Sequence, residues 1–186
     1  MRPTYGIVLP LLTLVALAAP AEDGPIAVKV EVAGEIVRVE ASFYVGAPPE
    51  ETWEVLTDFE HMAKFVTNLK SSGILSRSGN SLTIAQQGAA SFGPLSFTFE
   101  STREIRLTPV DQIRAHMLNG NMKRYDSTTQ LASEGAGTRV QFRSEAVPET
   151  WLPPIVGVRF IETETRQQLQ EMRDEIHRRR QQTARE

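Results

Sequence analysis

From Ile26 onward the chain alternates between apolar and polar positions. Val28, Val30 and Val32 share one parity, with Lys29 and Glu31 between them. Ala33 and Gly34 interrupt the pattern. It resumes with Val37, Val39, Ala41, Phe43 and Val45, set against Arg38, Glu40 and Ser42. A period of two places successive side chains on opposite faces of an extended chain, so residues 26–45 are expected to form a hairpin or one long kinked strand. After Asn68 further runs of this kind cover 69–77, 81–87, 95–107, 112–119, 122–132 and 138–147. Gly79-Asn80, Pro109-Val110-Asp111, Gly120-Asn121 and Gly135-Ala136-Gly137 punctuate the later runs, and links this short join antiparallel neighbours.

Two stretches break the alternation. In "APPEETWEVLTDFEHMAKFVTNL", residues 47–69, prolines precede a pair of glutamates, which suits the positive end of a helix. Trp53, Leu56 and Phe59 recur at helical spacing, as do Met62, Ala63 and Val66. Two short helices are expected. Each is below the about 12 residues at which an isolated helix is even marginal in water, so packing must hold them. From about Leu152 the period lengthens again, and Ile161, Thr165, Leu169, Met172 and Ile176 mark one long amphipathic helix. Strands, two short helices, more strands and a long final helix define an α+β chain. A curved antiparallel sheet of this kind buries one face when the last helix lies across it.

With 186 residues and 40% hydrophobic content, the chain can build one domain with its own core. No repeat, linker or second domain is visible. The net charge of −3 offers no basic field, so nucleic acid is not an expected partner. The chain has no Cys, which removes disulfides, thiolate nucleophiles and CxxC metal sites. His61, His116 and His177 lack metal-ligand spacing, and neither metal nor cofactor is expected. The N-terminus carries Arg2, an apolar run over 6–19 and the small-residue stretch Ala19-Pro20-Ala21. That run is short for a membrane span. It suits an export signal over 1–21, with an uncleaved anchor as the alternative, and a mature domain over 22–186. No Cys follows to carry a lipid, and the expected location is an exported compartment, a periplasm.

Three strings, "APPEETWEVLTDFEHMAKFVTNLKSSGIL", "GNMKRYDSTTQLASEGAGTRVQF" and "VPETWLPPIV", resemble the START-like (SRPBCC) superfamily. The likeness is strongest to its polyketide cyclase/dehydrase and coenzyme Q-binding branch. It spans roughly residues 37–180 and implies a helix-grip fold, with an apolar small molecule held between the sheet and the C-terminal helix. Members of that superfamily bind lipids, sterols, quinones or polyketide intermediates, and a minority catalyse cyclisation or dehydration. Thr129 and Met122 stand where the branch often has aromatic residues, which implies a pocket of different shape.

Strand parity gives a reading of the same region from the residues alone. In the run from Leu95, one parity holds Phe97, Phe99, Ser101, Arg103, Ile105 and Leu107. Tyr125, Ser127 and Thr129 share a parity in the next candidate strand, and Phe142 and Ser144 in the last. A face built for stability alone avoids Ser, Thr and Arg, since an unpaired buried polar group costs about 1 to 3 kcal/mol. Apolar walls with a few convergent polar groups are the composition of a ligand pocket. A one-residue slip would turn Arg103 to solvent instead. Trp53 reads as core, His61 as surface, His177 as solvated helix and Arg178-Arg179-Arg180 as a solvated tail, with transient contact to anionic lipid as that cluster's alternative. No G-x-S-x-G, H-E-x-x-H or P-loop occurs, and Asp126 has the opposite parity to Tyr125. The expectation is therefore a carrier of an apolar or amphipathic ligand. A cyclase or dehydratase in the same cavity and an interaction module with an inert interior are the rivals.

Overall fold

The computed structural model describes residues 23–92, 95–149 and 154–185. The expected export signal over 1–21 lies outside the described residues. Eight antiparallel strands form one sheet: β1 (Ala27–Ala33), β2 (Ile36–Val45), β3 (Leu69–Ser78), β4 (Ser81–Phe92), β5 (Leu95–Thr108), β6 (Gln112–Gly120), β7 (Met122–Glu134) and β8 (Gly137–Pro148). Their spatial order is β1-β2-β8-β7-β6-β5-β4-β3. Residues 26–45 are thus a hairpin, not one kinked strand. Helix α1 (Pro49–Leu56) follows β2, a single 3-10 turn (Met62–Lys64) stands where a second short helix was expected, and α2 (Pro154–Thr183) closes the chain.

Alternation sets the register, and bulges adjust it locally. Val28, Ala41, Phe142, Thr129, Ile113 and Leu107 stand opposite one another across six strands. So do Val30, Val39, Ser144, Ser127, Ala115 and Ile105. Because side chains alternate along each strand, these rows belong to one face, the inner one. β3 carries two register shifts, at Leu69/Ser71 and at Ile74/Ser76, which leave Lys70 and Leu75 without a cross-strand partner. In the Thr108–Asp111 turn, Val110 holds φ 62°, a conformation that a β-branched residue rarely adopts.

One end of the inner face is packed dry. Phe43, Val45, Leu82, Ile84, Ile105 and Val140 are fully buried there with Val55 of α1, Val66 and Ile176 of α2. Each such side chain contributes about 1.5 to 3 kcal/mol through burial. Within α1 the inward residues are Thr52, Val55 and Leu56. Trp53 is half-buried, packed against the rim of this core instead of at its centre.

The C-terminal half of α2 is pinned to this end. Arg173 donates to the Gly24 carbonyl at 2.7 Å and pairs with Asp23 at 3.6 Å. His177 meets the same carboxylate at 2.5 Å, while Asp23 also accepts from the Gly46 amide at 3.1 Å. Arg179 bridges Glu175 and Asp58, each at 2.7 Å, and Arg180 donates to the Gly46 carbonyl at 2.7 Å. His177, Arg179 and Arg180, expected in solvent, are therefore part of the helix attachment, while Arg178 stays exposed and, among the described residues, pairs only with Glu175 of its own helix. A carboxylate or a backbone carbonyl from another element lies within reach of the first three, which periodicity along one helix does not reveal.

Candidate functional site

Beside these buried residues, in the same rows of the sheet, the inner face changes character. Phe99, Ser101 and Arg103 on β5, Tyr125, Ser127 and Thr129 on β7, and Phe142 and Ser144 on β8 share that face and are all half-buried. Phe97 has the same parity, but its side chain lies outside the described residues. Two neighbours make the surface. Ser127 and Ser144 face each other across β7 and β8, and Thr129 faces Phe142. Among the described residues, α2 packs mainly on β1, β2 and α1.

The register that would have sent Arg103 to solvent does not arise. A shift does occur between Thr102 and Arg103, yet the extra residue is Leu118 on the neighbouring β6. β5 keeps its parity, with Arg103 between Ile84 and Met117. Leu118 is left 56% exposed. The bulge is absorbed by β6.

Arg103 is the chemical centre of this face. Its guanidinium carbon lies 5.7 Å from the centroid of the Tyr125 ring, within cation–π range. Its Nη2 donates to Gln86 Oε1. Gln86 Nε2 in turn donates to Ser72 Oγ at 2.9 Å, and Ser72 Oγ donates to the Phe59 carbonyl at 2.5 Å. Gln86 Nε2 also approaches the Met62 sulfur at 3.4 Å. This hydrogen-bonded chain joins the segment between α1 and β3 to the guanidinium. The short helical stretch therefore does more than fill one end, because it fixes the donor of the next residue in line. Burial pulls the Arg103 pKa below its usual value, against the raising influence of Tyr125. Arginine nonetheless stays protonated at any ordinary pH.

Gln86 escaped the sequence reading, although a signal was present. It shares the parity of Leu82 and Ile84 on β4, which makes it a polar residue on an apolar face, and it is only 5% exposed. Gly88 also shapes the wall. A Cβ there would collide with the Asn68 carbonyl and the Phe99 ring, so its absence lets that ring pack against the Gly88 backbone.

The outer face is of another kind. A depression of about 600 Å³ lies over β2, β8, β7, β6 and β5, lined by Arg38, Glu40, Arg106, Arg114, His116 and Asp126 among others. Cross-strand ion pairs fill it, such as His116 with Asp126 at 2.7 Å and Arg38 with Glu145 at 3.0 Å. Open, solvated and charged, it does not offer the apolar contact that binds a hydrophobic molecule. Its size alone does not make it the site. Among the described residues there is no group of three or more metal-ligating side chains.

A curved antiparallel sheet gripping a long C-terminal helix defines the START-like, helix-grip class of proteins. The sequence pattern of the family described as "Polyketide cyclase / dehydrase and lipid transport" matches residues 45–173, and the chain belongs to that family. No curated protein sequence matches it. Solved structures share the fold at low identity. A STAR-related lipid transfer protein fragment from Xanthomonas axonopodis is 15% identical with a TM-score of 0.70, covering 86% of this chain and 97% of that one. The Zhui aromatase/cyclase from a Streptomyces species is 17% identical with a TM-score of 0.67, covering 77% and 95%. A START superfamily protein from Mycobacterium smegmatis is 14% identical with a TM-score of 0.65, covering 76% and 97%.

Proposed function

We propose that this protein is an exported carrier that holds an apolar or amphipathic small molecule, such as a lipid or isoprenoid, between the inner face of the sheet and α2. One observation carries the reading. Along a single face, the packing passes from fully buried aliphatic side chains to half-buried Phe99, Tyr125, Phe142 and a few hydroxyls. A core built for stability would stay dry across the whole face, whereas a ligand supplies the missing apolar contact. The family, and the structural likeness to a lipid transfer protein and an aromatase/cyclase, support the same reading. Export is supported by the apolar run over 6–19 and the small residues after it. Nothing about the pocket requires turnover.

Native mass spectrometry of protein purified from the exported fraction tests the proposal. A reproducible apolar adduct, released when the protein is unfolded, is the expected result. An adduct-free protein that also fails to bind an environment-sensitive apolar dye would rule it out. Conversion of an added polyketide-like substrate by the unmodified protein would move the assignment to a cyclase acting in the same cavity.

A further inference from the structure

Four of the described arginines are buried or half-buried: Arg103, Arg139, Arg173 and Arg179. Three of them have carboxylate partners. Arg139 pairs with Glu134 at 2.5 Å, Arg173 with Asp23 at 3.6 Å, and Arg179 with Asp58 at 2.7 Å. Arg103 is the exception among the described residues. Its polar contacts are the neutral amide of Gln86 and the ring of Tyr125. Its Nε is buried and has no hydrogen-bond acceptor. The residues that flank it across the sheet, Ile84 and Met117, are apolar.

A guanidinium taken out of water without an anion is among the costliest arrangements in a protein interior. Nor can it escape by losing its proton, since arginine does not deprotonate in proteins. Gln86 and Tyr125 stabilise the cation as dipole and quadrupole, but neither cancels its charge. The remaining donors form a planar fork, the geometry that a carboxylate or phosphate oxygen pair accepts. Around the fork stand the groups already placed on the inner face, with Ser101 two residues away on the same strand and parity.

We propose that the ligand is an anionic amphiphile whose head group, a single-charged oxyanion of the carboxylate type, pairs with Arg103 while its apolar tail lies along the half-buried inner face. This rests on the carrier reading above and narrows it to a class of ligand. Charge balance selects the monoanion. One uncompensated cation neutralises one negative charge, whereas a phosphomonoester dianion would leave an excess charge buried in the same place. Gln86 then acts as a positioning residue. Held by Ser72 and Met62, it fixes the guanidinium by one corner and leaves the rest of the fork for the ligand.

The test uses three long-chain probes with the same dansyl-labelled tail: a carboxylic acid, its methyl ester and a phosphomonoester. Affinities are measured by fluorescence at neutral pH for the unmodified protein, Arg103→Met and Arg103→Lys, with circular dichroism confirming that each is folded. The unmodified protein should bind the acid about 10- to 100-fold more tightly than the ester, as expected for a hydrogen-bonded charge. Arg103→Met should lose that preference and keep its affinity for the ester, while Arg103→Lys should keep part of it. Should Arg103→Met fail to fold, the loss of preference is read from Arg103→Gln. Equal affinity of the unmodified protein for acid and ester would refute the anionic head while leaving the carrier intact. Binding of none of the three would refute the carrier itself. An acid preference that survives removal of the Arg103 charge would place the head group elsewhere, and a tighter phosphomonoester would refute the single-charge assignment.

Discussion

Thr52 shows how a single atom can be misplaced without harm to the fold. It is completely buried on the inward side of α1, and its hydroxyl has no partner. Val has nearly the same shape and no hydroxyl to desolvate. Thr52→Val is expected to raise stability by about 1 to 3 kcal/mol, the range set by an unpaired buried polar group. Urea unfolding measures it, and a loss of stability would mean that the hydroxyl has a partner after all. The sequence pointed elsewhere on this helix. Trp53 was the expected inward residue, because a large aromatic at helical spacing with Leu56 outweighs a threonine in any hydrophobic count. Over only eight residues, the apolar stripe is too short to fix the rotation of the helix by itself. Packing against α2, β7 and β8 decides it instead.

At the scale of elements, the strands were legible and the attachments between elements were not. Alternation located the strand regions, leaving 26–45 as a hairpin or one kinked strand, and gave the shared parity of Ser101 and Arg103, of Tyr125, Ser127 and Thr129, and of Phe142 and Ser144, because a period of two carries parity directly. It could not show which strand would absorb the shift beside Arg103, since one extra residue on β6 or on β5 looks alike in sequence. That no described carboxylate pairs with Arg103 was equally hidden, being a property of several strands together. The pinning of α2 was missed for the same reason. Asp23, just before β1, serves the Gly46 amide, His177 and Arg173 at once. Asp23→Asn leaves the buried Arg173 with only neutral acceptors, the Gly24 carbonyl and Gln170. A loss of about 1 to 3 kcal/mol is expected, the cost of removing one side of a charge-assisted contact. Equilibrium unfolding compares the two proteins, and unchanged stability would show that this attachment is dispensable.

For the whole molecule, the same helix makes stability depend on acid. Hydrogen bonds from Arg178, with a further contribution from Arg179, hold the Glu175 carboxyl below its usual range. Partial burial pushes the Asp58 carboxyl upward, but hydrogen bonds from Arg179 and His61 outweigh it and leave that group lowered as well. A carboxylate with a depressed folded-state pKa adds stability that is complete above its unfolded value, about 4, and disappears as the pH falls through the folded value. The molecule should therefore weaken progressively below about pH 4. Glu175→Gln should be less stable than the unmodified protein at neutral pH, with the difference narrowing as the pH drops through that window. Urea unfolding across a pH series reads this directly, and a difference that stays constant with pH would disprove the linkage.

The two shifts in β3 bear on what happens when many copies meet. An open sheet has two edges, and an unprotected edge is a template on which a foreign strand can add. Here one edge strand, β1, has α2 packed against it. The β3 edge is interrupted twice, and its unpaired residues include Lys70, a cation that an incoming strand would have to desolvate. Leu75, 63% exposed at the second interruption, is apolar but sits where the backbone no longer presents an even ladder. A sheet whose inner face stays partly open for a ligand thus has its β3 edge broken twice, which discourages strand addition by other copies along that side.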